Sequence, residues 1–184
     1  GFIGGVLAGL TTKTNKVAMV TGEFYDTHRA MEAGFYKGVA YVNPDIETTA
    51  ITTGDWADTV KAREACLAVI AQGYDVLFPC LDAAGAGVAA AAQDSGNVKV
   101  VGAVADYAKD YGAEDVTAGS VVFAWDELGY LEAKGEICDG KSHVLGMSEN
   151  GIRPVINAEL TKEQQEVYDA AVADLLAGKI DLSK

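Results

Sequence analysis

Short apolar runs recur along this chain, each followed by a longer stretch with helical periodicity, and this alternation decides the fold class. "KVAMVTG" (16 to 22) has the composition of a buried strand, and "THRAMEAGFYKGVAYV" (27 to 42) sets its apolar residues on one helical face before stopping at Asn43-Pro44. "IETTAITTG" (46 to 54) reads as the next strand. "DWADTVKAREACLAVIAQG" (55 to 73) predicts a helix with Asp58 as N-cap, Ala62, Ala65, Cys66, Val69 and Ile70 as inner stripe, and Gly73 as stop. "DVLFP" (75 to 79), "GAGVAAAAQDSG" (85 to 96) and "VKVVGAV" (98 to 104) continue the pattern as strand, helix and strand. Strands this short and apolar on both faces need helices on both sides. The chain is therefore read as α/β, a parallel sheet flanked by helices and closed by right-handed crossovers.

After residue 105 the rhythm loosens. "DVTAGSVVF" (115 to 123) predicts a strand, "AWDELGYLEAKGEICDG" (124 to 140) a helix, and "SHVLGM" and "IRPVI" a pair of short strands. "TKEQQEVYDAAVADLLAGK" (161 to 179) predicts a terminal helix opened by a capping box of Thr161 and Gln164. "GFIGGVLAGL" begins the sequence as an apolar, glycine-rich segment that must pack against something; left uncovered, it predicts self-association.

Charge removes one class of partner. With a formal net charge of −13 and no Lys/Arg cluster, the chain offers no cationic face, so no nucleic-acid partner is expected. No stretch approaches the roughly 20 apolar residues that span a bilayer. Cys66, Cys80 and Cys138 lack CxxC spacing and a nearby histidine, and are read as small hydrophobes. His28 and His143 stand apart from any nucleophile. Neither a metal site, nor a cofactor, nor a catalytic group is therefore predicted.

In an open parallel sheet, ligands sit where loops leave the carboxyl ends of the strands. Four such loops are "TGEFYDT" (21 to 27), "TTGDWAD" (52 to 58), "PCLDAAGAG" (79 to 87) and "AVADYAK" (103 to 109). The candidate ligand-binding residues are Phe24, Tyr25, Asp82, Ala83, Gly85 and Asp106. Phe24 and Tyr25 can stack on a flat ring, and Gly85 lets backbone approach a ligand ahead of a helix N-terminus. Asp82 and Asp106 either hydrogen-bond the ligand or are simply solvated. Asp82 disfavours a phosphate, and neither GxGxxG nor GxxxxGK[ST] is present, so a neutral polar ligand is expected. Trp56 is expected to wedge the start of its helix more than to stack on ligand, Asp55 and Asp58 to cap, and Trp125 to pack.

"GFIGGVLAGLTTKTNKVAMVTG", "GDWADTVKAREACLAVIAQGYDVLFP", "AGAGV" and "LTKEQQEVYDAAVADLLAGKIDL" together resemble the basic-membrane-protein family of substrate-binding lipoproteins, which includes the purine-nucleoside receptors of ABC importers. The resemblance implies a type I periplasmic-binding-protein-like lobe. In it, residues 1 to 15 come from the region between lobes, 16 to 120 form a C-terminal ligand-binding lobe, and 121 to 184 return toward an N-terminal lobe. Where the family resembles "GVDSDQ", this chain has "GAVADY", putting Val104 at an aspartate position and keeping Asp106; "GSVVFAWD" puts Phe123 where the family carries a lysine. Met31 stands at a position the family fills with an aromatic. Losing those charged groups implies a more apolar cleft.

The implied function is an extracytoplasmic solute-binding component of an ABC importer, lipid-anchored in the full-length protein. It would hold a small nucleoside-like or other flat polar ligand, present it to an ABC permease and perform no catalysis. The residues alone also admit a doubly wound α/β enzyme or small-molecule sensor lobe using Asp82 or Asp106 as base.

Overall fold

The computed structural model describes residues 1–182. In chain order the elements are α1 (Phe2–Thr11), β1 (Lys16–Thr21), α2 (Asp26–Val42), β2 (Glu47–Thr52), α3 (Thr59–Ile70), β3 (Val76–Cys80), α4 (Gly85–Ser95) and β4 (Lys99–Val104). They continue with α5 (Tyr107–Asp110), β5 (Thr117–Phe123), α6 (Trp125–Lys134), β6 (Ile152–Ile156) and α7 (Lys162–Leu176). The strands form one sheet in the order β2-β1-β3-β4-β5-β6, parallel except for β6, which runs antiparallel to β5.

Period-two side-chain alternation sorts the strand residues onto two layers. Val17 and Met19 of β1 pack with Leu7, Phe35 and Val39 on the α1/α2 face, while Ala18 and Val20 pack with Ala62, Cys66 and Val88 on the α3/α4 face. Both faces are covered, which is why the strands read as continuous apolar runs rather than alternating ones. Asp58 caps α3 as its position predicted, accepting from the Val60 and Lys61 amides, each at 3.0 Å. Of the expected inner stripe, Ala62, Cys66 and Val69 are buried and Ala65 and Ile70 are half-buried.

The opening segment is not left bare. It folds into α1, buried from Phe2 through Leu10, between α2, the sheet and α7. A helix apolar all round must be enclosed on all sides, and this one is. The expected self-association through an uncovered start is therefore corrected: α1 is inside the core. Gly5 and Gly38 make the enclosure possible, because a Cβ on Gly5 would overlap the Phe35 carbonyl oxygen and one on Gly38 the Phe2 carbonyl oxygen. The two helices thus meet backbone to backbone. The Thr161/Gln164 capping box forms as expected, and Gln164 Nε2 also donates to Leu10 O at 2.6 Å, tying α7 to the end of α1.

Two expectations after residue 123 change. The helix predicted over 124 to 140 stops at Lys134, because Gly135 takes a left-handed conformation (φ +73°) and caps it. "SHVLGM" forms no strand: β5 takes β6 as its edge partner, and Gly146 O accepts the amides of Gly151 (2.8 Å) and Ile152 (3.2 Å), closing 146–151 into a turn.

Candidate ligand-binding site

Topology places the site. β2 and β3 lie on opposite sides of β1, so the β1–α2 and β3–α4 connections leave the sheet in opposite directions and open a crevice at their carboxyl ends. A pocket of about 260 Å³ occupies it, lined by Thr27 and His28 after β1, Cys80, Leu81 and Asp82 after β3, Val104 at the end of β4, and Phe123 beside Trp125 at the end of β5. Trp56 from the β2–α3 loop and Met31 of α2 complete the wall.

Pro79 shapes the strand just before the floor residues Cys80 and Leu81. It lies in an interior strand and has no N–H to give a ladder. The β3–β1 pairing runs on to Cys80, but the β3–β4 pairing ends at Leu77 opposite Val100. The carboxyl ends of β3 and β4 are consequently not bonded to each other, and Cys80, Leu81 and Val104 lie at this gap. Burial pushes the Cys80 thiol up to about 11, so it presents a neutral, apolar surface.

Val104 is strained. Its φ is +74°, and the Ala105 amide donates across it to Ala103 O at 2.9 Å, a γ-turn of the rare positive-φ kind. For a β-branched residue this costs about 1–3 kcal/mol and persists only where surroundings enforce it. They do so here: Val104 is paired with Val122 of β5, the Asp106 amide donates to Asp110 Oδ2 at 2.9 Å, and the buried Tyr107 amide donates to Ser120 Oγ at 3.0 Å. The strain sets the isopropyl group at the pocket's edge.

The aromatics divide into two banks. On the β1/β2 side, Tyr25 stacks on Trp56 (centroids 6.0 Å, interplanar angle 15°), and His28 sits 4.6 Å from the Trp56 ring. Gly22 leaves room for that indole, since a Cβ there would strike it. On the β5 side Phe123 and Trp125 meet edge to face at 6.0 Å. Trp125 is 63% exposed, which corrects the expectation that it would pack. Trp56 serves both roles weighed for it, packing on the α3/α4 core and lining the pocket.

Of the six residues singled out in the sequence, Asp82 alone lines the pocket. Its carboxylate is exposed, and among the described residues no protein hydrogen bond or ion pair engages it. Tyr25 reaches the site only through Trp56, and its hydroxyl donates to Glu23 at 3.0 Å. Phe24 lies under the Arg29 guanidinium, 3.6 Å from its ring centroid. Ala83 is exposed beside the pocket. Gly85 faces the protein: its amide donates to Asp82 O at 2.9 Å, and a Cβ there would meet the Tyr107 and Tyr111 hydroxyls. Asp106 is 8% exposed and caps α5, with Lys109 Nζ 3.4 Å away. His28 was missed. Its only signal was position, on the first turn of a helix leaving a strand's carboxyl end.

A larger hollow of about 750 Å³ lies at the opposite edge, among the amino ends of β3, β4 and β5. Its buried carboxylate, Asp75, is already occupied: Thr12 Oγ1 (2.5 Å) and the amides of Lys13 (2.7 Å) and Thr14 (3.0 Å) all donate to it.

Residues 1–180 match the model of the Bmp family, described as ABC transporter substrate-binding protein, PnrA-like. The chain belongs to this family. It is 27% identical over 176 residues to basic membrane protein D of Borreliella burgdorferi, covering 93% of this chain and 51% of that protein. It is 31% identical over 87 residues to the ABC transporter nucleoside-binding protein BmpA of Lactococcus lactis, covering 47% of this chain and 25% of that protein. The chain thus spans about half, or less, of the length of these curated relatives. An ABC transporter solute-binding protein from Aeropyrum pernix shares the fold at a TM-score of 0.81 and 13% identity, over 98% of this chain and 63% of that one. Within the Bmp family fold, the crevice described above lies at the sheet edge where open α/β proteins take ligands. Among the described residues no helix is long and apolar enough to cross a membrane.

Proposed function

We propose that this chain is the ligand-binding lobe of an extracytoplasmic ABC solute-binding protein, gripping a small flat heterocycle, nucleoside-like or a free base, without transforming it. Asp82 is assigned the polar contact, Trp56, Phe123 and Trp125 the ring contacts, and Tyr25 the buttressing of Trp56. Phe24, Ala83, Gly85 and Asp106 shape the loops around it. The observation that carries this reading is the pairing of two aromatic banks with an unengaged carboxylate at the topological switch point. The name of the Lactococcus relative supports a nucleoside-like ligand.

The lobe would close against a second lobe, with α6, of the elements expected to return toward it in 121–184, the one that reaches out, while α1 within 1–15, β6 and α7 pack inside this lobe. No residue of α6 is buried, as suits a helix whose partner lies elsewhere. Delivery to a membrane permease, and lipid anchoring of the longer protein, belong to the same proposal.

Both tryptophans of the chain line the pocket, so intrinsic fluorescence reports on it directly. Titration with purine and pyrimidine nucleosides and their bases is expected to give saturable quenching, reduced in amplitude in both Trp56→Phe and Trp125→Phe. Absence of any saturable change up to millimolar ligand would refute the reading.

A further inference from the structure

Resting on that reading, we infer that the pocket prefers a planar cation, a protonated or N-alkylated heteroaromatic ring, to neutral and anionic rings of the same shape. Asp82 is the one carboxylate on the lining, and the lining holds no lysine or arginine. The cations carried by neighbouring residues are spent elsewhere. Arg29 lies over Phe24 and 2.8 Å from Glu32, and Arg153 binds Asp126 at 2.7 Å and Glu127 at 3.3 Å. Among the described residues no lysine or arginine engages Asp82, so a cationic ligand would meet its carboxylate without displacing a protein partner.

The walls favour the same sign. Trp56, Phe123 and Trp125 line the pocket, and the face of an aromatic ring carries the negative lobe of its quadrupole, which attracts a cation placed over it. The floor adds nothing that opposes a positive ligand, because Leu81 and Val104 are apolar and the Cys80 thiol is neutral. The chain as a whole, at −13, repels anions and draws cations toward its surface. Taken together, a carboxylate without a partner inside an aromatic crevice is a site for a charged ring more than for an uncharged one.

A matched series on one bicyclic ring isolates charge from shape: N-methylquinolinium, quinoline and quinoline-2-carboxylate, titrated by calorimetry into the intact chain at about pH 8. The expected order is cation, then neutral ring, then anion, with the first step about tenfold. In Asp82→Asn the ratio between cation and neutral ring is expected to fall to about threefold or less, the remainder coming from the aromatic faces. The Asp82 side chain has no partner in the protein, so this variant folds, and an unchanged thermal melt checks that it has. Equal binding of cation and neutral ring, or a ratio untouched by Asp82→Asn, overturns the charge preference while leaving the site as a heterocycle pocket. If none of the three rings binds but nucleosides quench tryptophan fluorescence, the charge preference falls alone; if nucleosides also fail, the binding reading falls with it.

Discussion

The two ends of β3 each carry an aspartate, and the two do opposite work. Asp75, before the strand, is 8% exposed and accepts three hydrogen bonds from Thr12, Lys13 and Thr14, fastening the α1–β1 turn to the sheet. Asp82, after it, is exposed at a pocket, and its carboxylate accepts no hydrogen bond within the described protein. Polar groups bonded within the protein hold a fold together, and exposed ones with water as their partner are available to something from outside. The larger hollow at the Asp75 end is therefore a place where the chain is fastened, and the smaller pocket at the Asp82 end is where the proposed ligand would meet a carboxylate with no protein partner.

The comparison is most exposed at Asp75. Asp75→Ala removes the acceptor of three bonds and leaves their donors unpaired, and is expected to cost about 3 kcal/mol, lowering Tm by about 6–12 °C in scanning calorimetry. A change of less than about 0.5 kcal/mol would show that the fastening is decorative. At the pocket end the sign reverses. Val104→Gly relieves a positive-φ strain of about 1–3 kcal/mol against the loss of a half-exposed isopropyl group, so stability should be unchanged or rise by about 1 kcal/mol. A loss above about 2 kcal/mol in urea unfolding would mean that the turn is unstrained. Asp82→Ala is expected to leave stability within about 0.5 kcal/mol of wild type. If it destabilises as much as Asp75→Ala, the distinction between the two ends is wrong.

A third aspartate sharpens the contrast at the smallest scale. Asp139, on the exposed segment after α6, is held down to about 2 by its hydrogen bond to His143, helped by the Lys141 amide and ammonium. A depressed carboxylate contributes above its ordinary value near 4 and loses that contribution as pH falls through about 2. Below pH 4 the 139–143 loop should therefore loosen progressively while the core stays folded, with His143→Ala raising the Asp139 midpoint seen by NMR. Global unfolding over that window would place the loop in the core, contrary to its exposure.

Much of the fold was legible because its causes are local. The apolar runs at 16–22 and 98–104 could only be doubly covered strands, and Asp58, Thr161 and Gln164 act within one helical turn of themselves. The site was legible as a location and less so as a roster of residues. Gly85 looked like a ligand-facing glycine, and what it accommodates is the Tyr107 hydroxyl, supplied by a segment beyond the next strand. Asp106 looked free and is consumed by α5. Val104, as a valine, predicts negative φ, and only its neighbours' bonds to Asp110 and Ser120 force it positive. His28 and Trp125 were undervalued because isolated residues carry no pattern until the sheet gathers the loop ends at one edge.

The seam between α1 and α2 has a mechanical consequence. With Gly5 against the Phe35 main chain and Gly38 against the Phe2 main chain, these two crossings leave no room for a side chain that could repack and absorb a shift. The pair is expected to shift as one unit. Since α2 also delivers Thr27, His28 and Met31 to the pocket, the first ten residues act as a fixed datum for one wall of the binding site, although they lie in the core and not in the crevice.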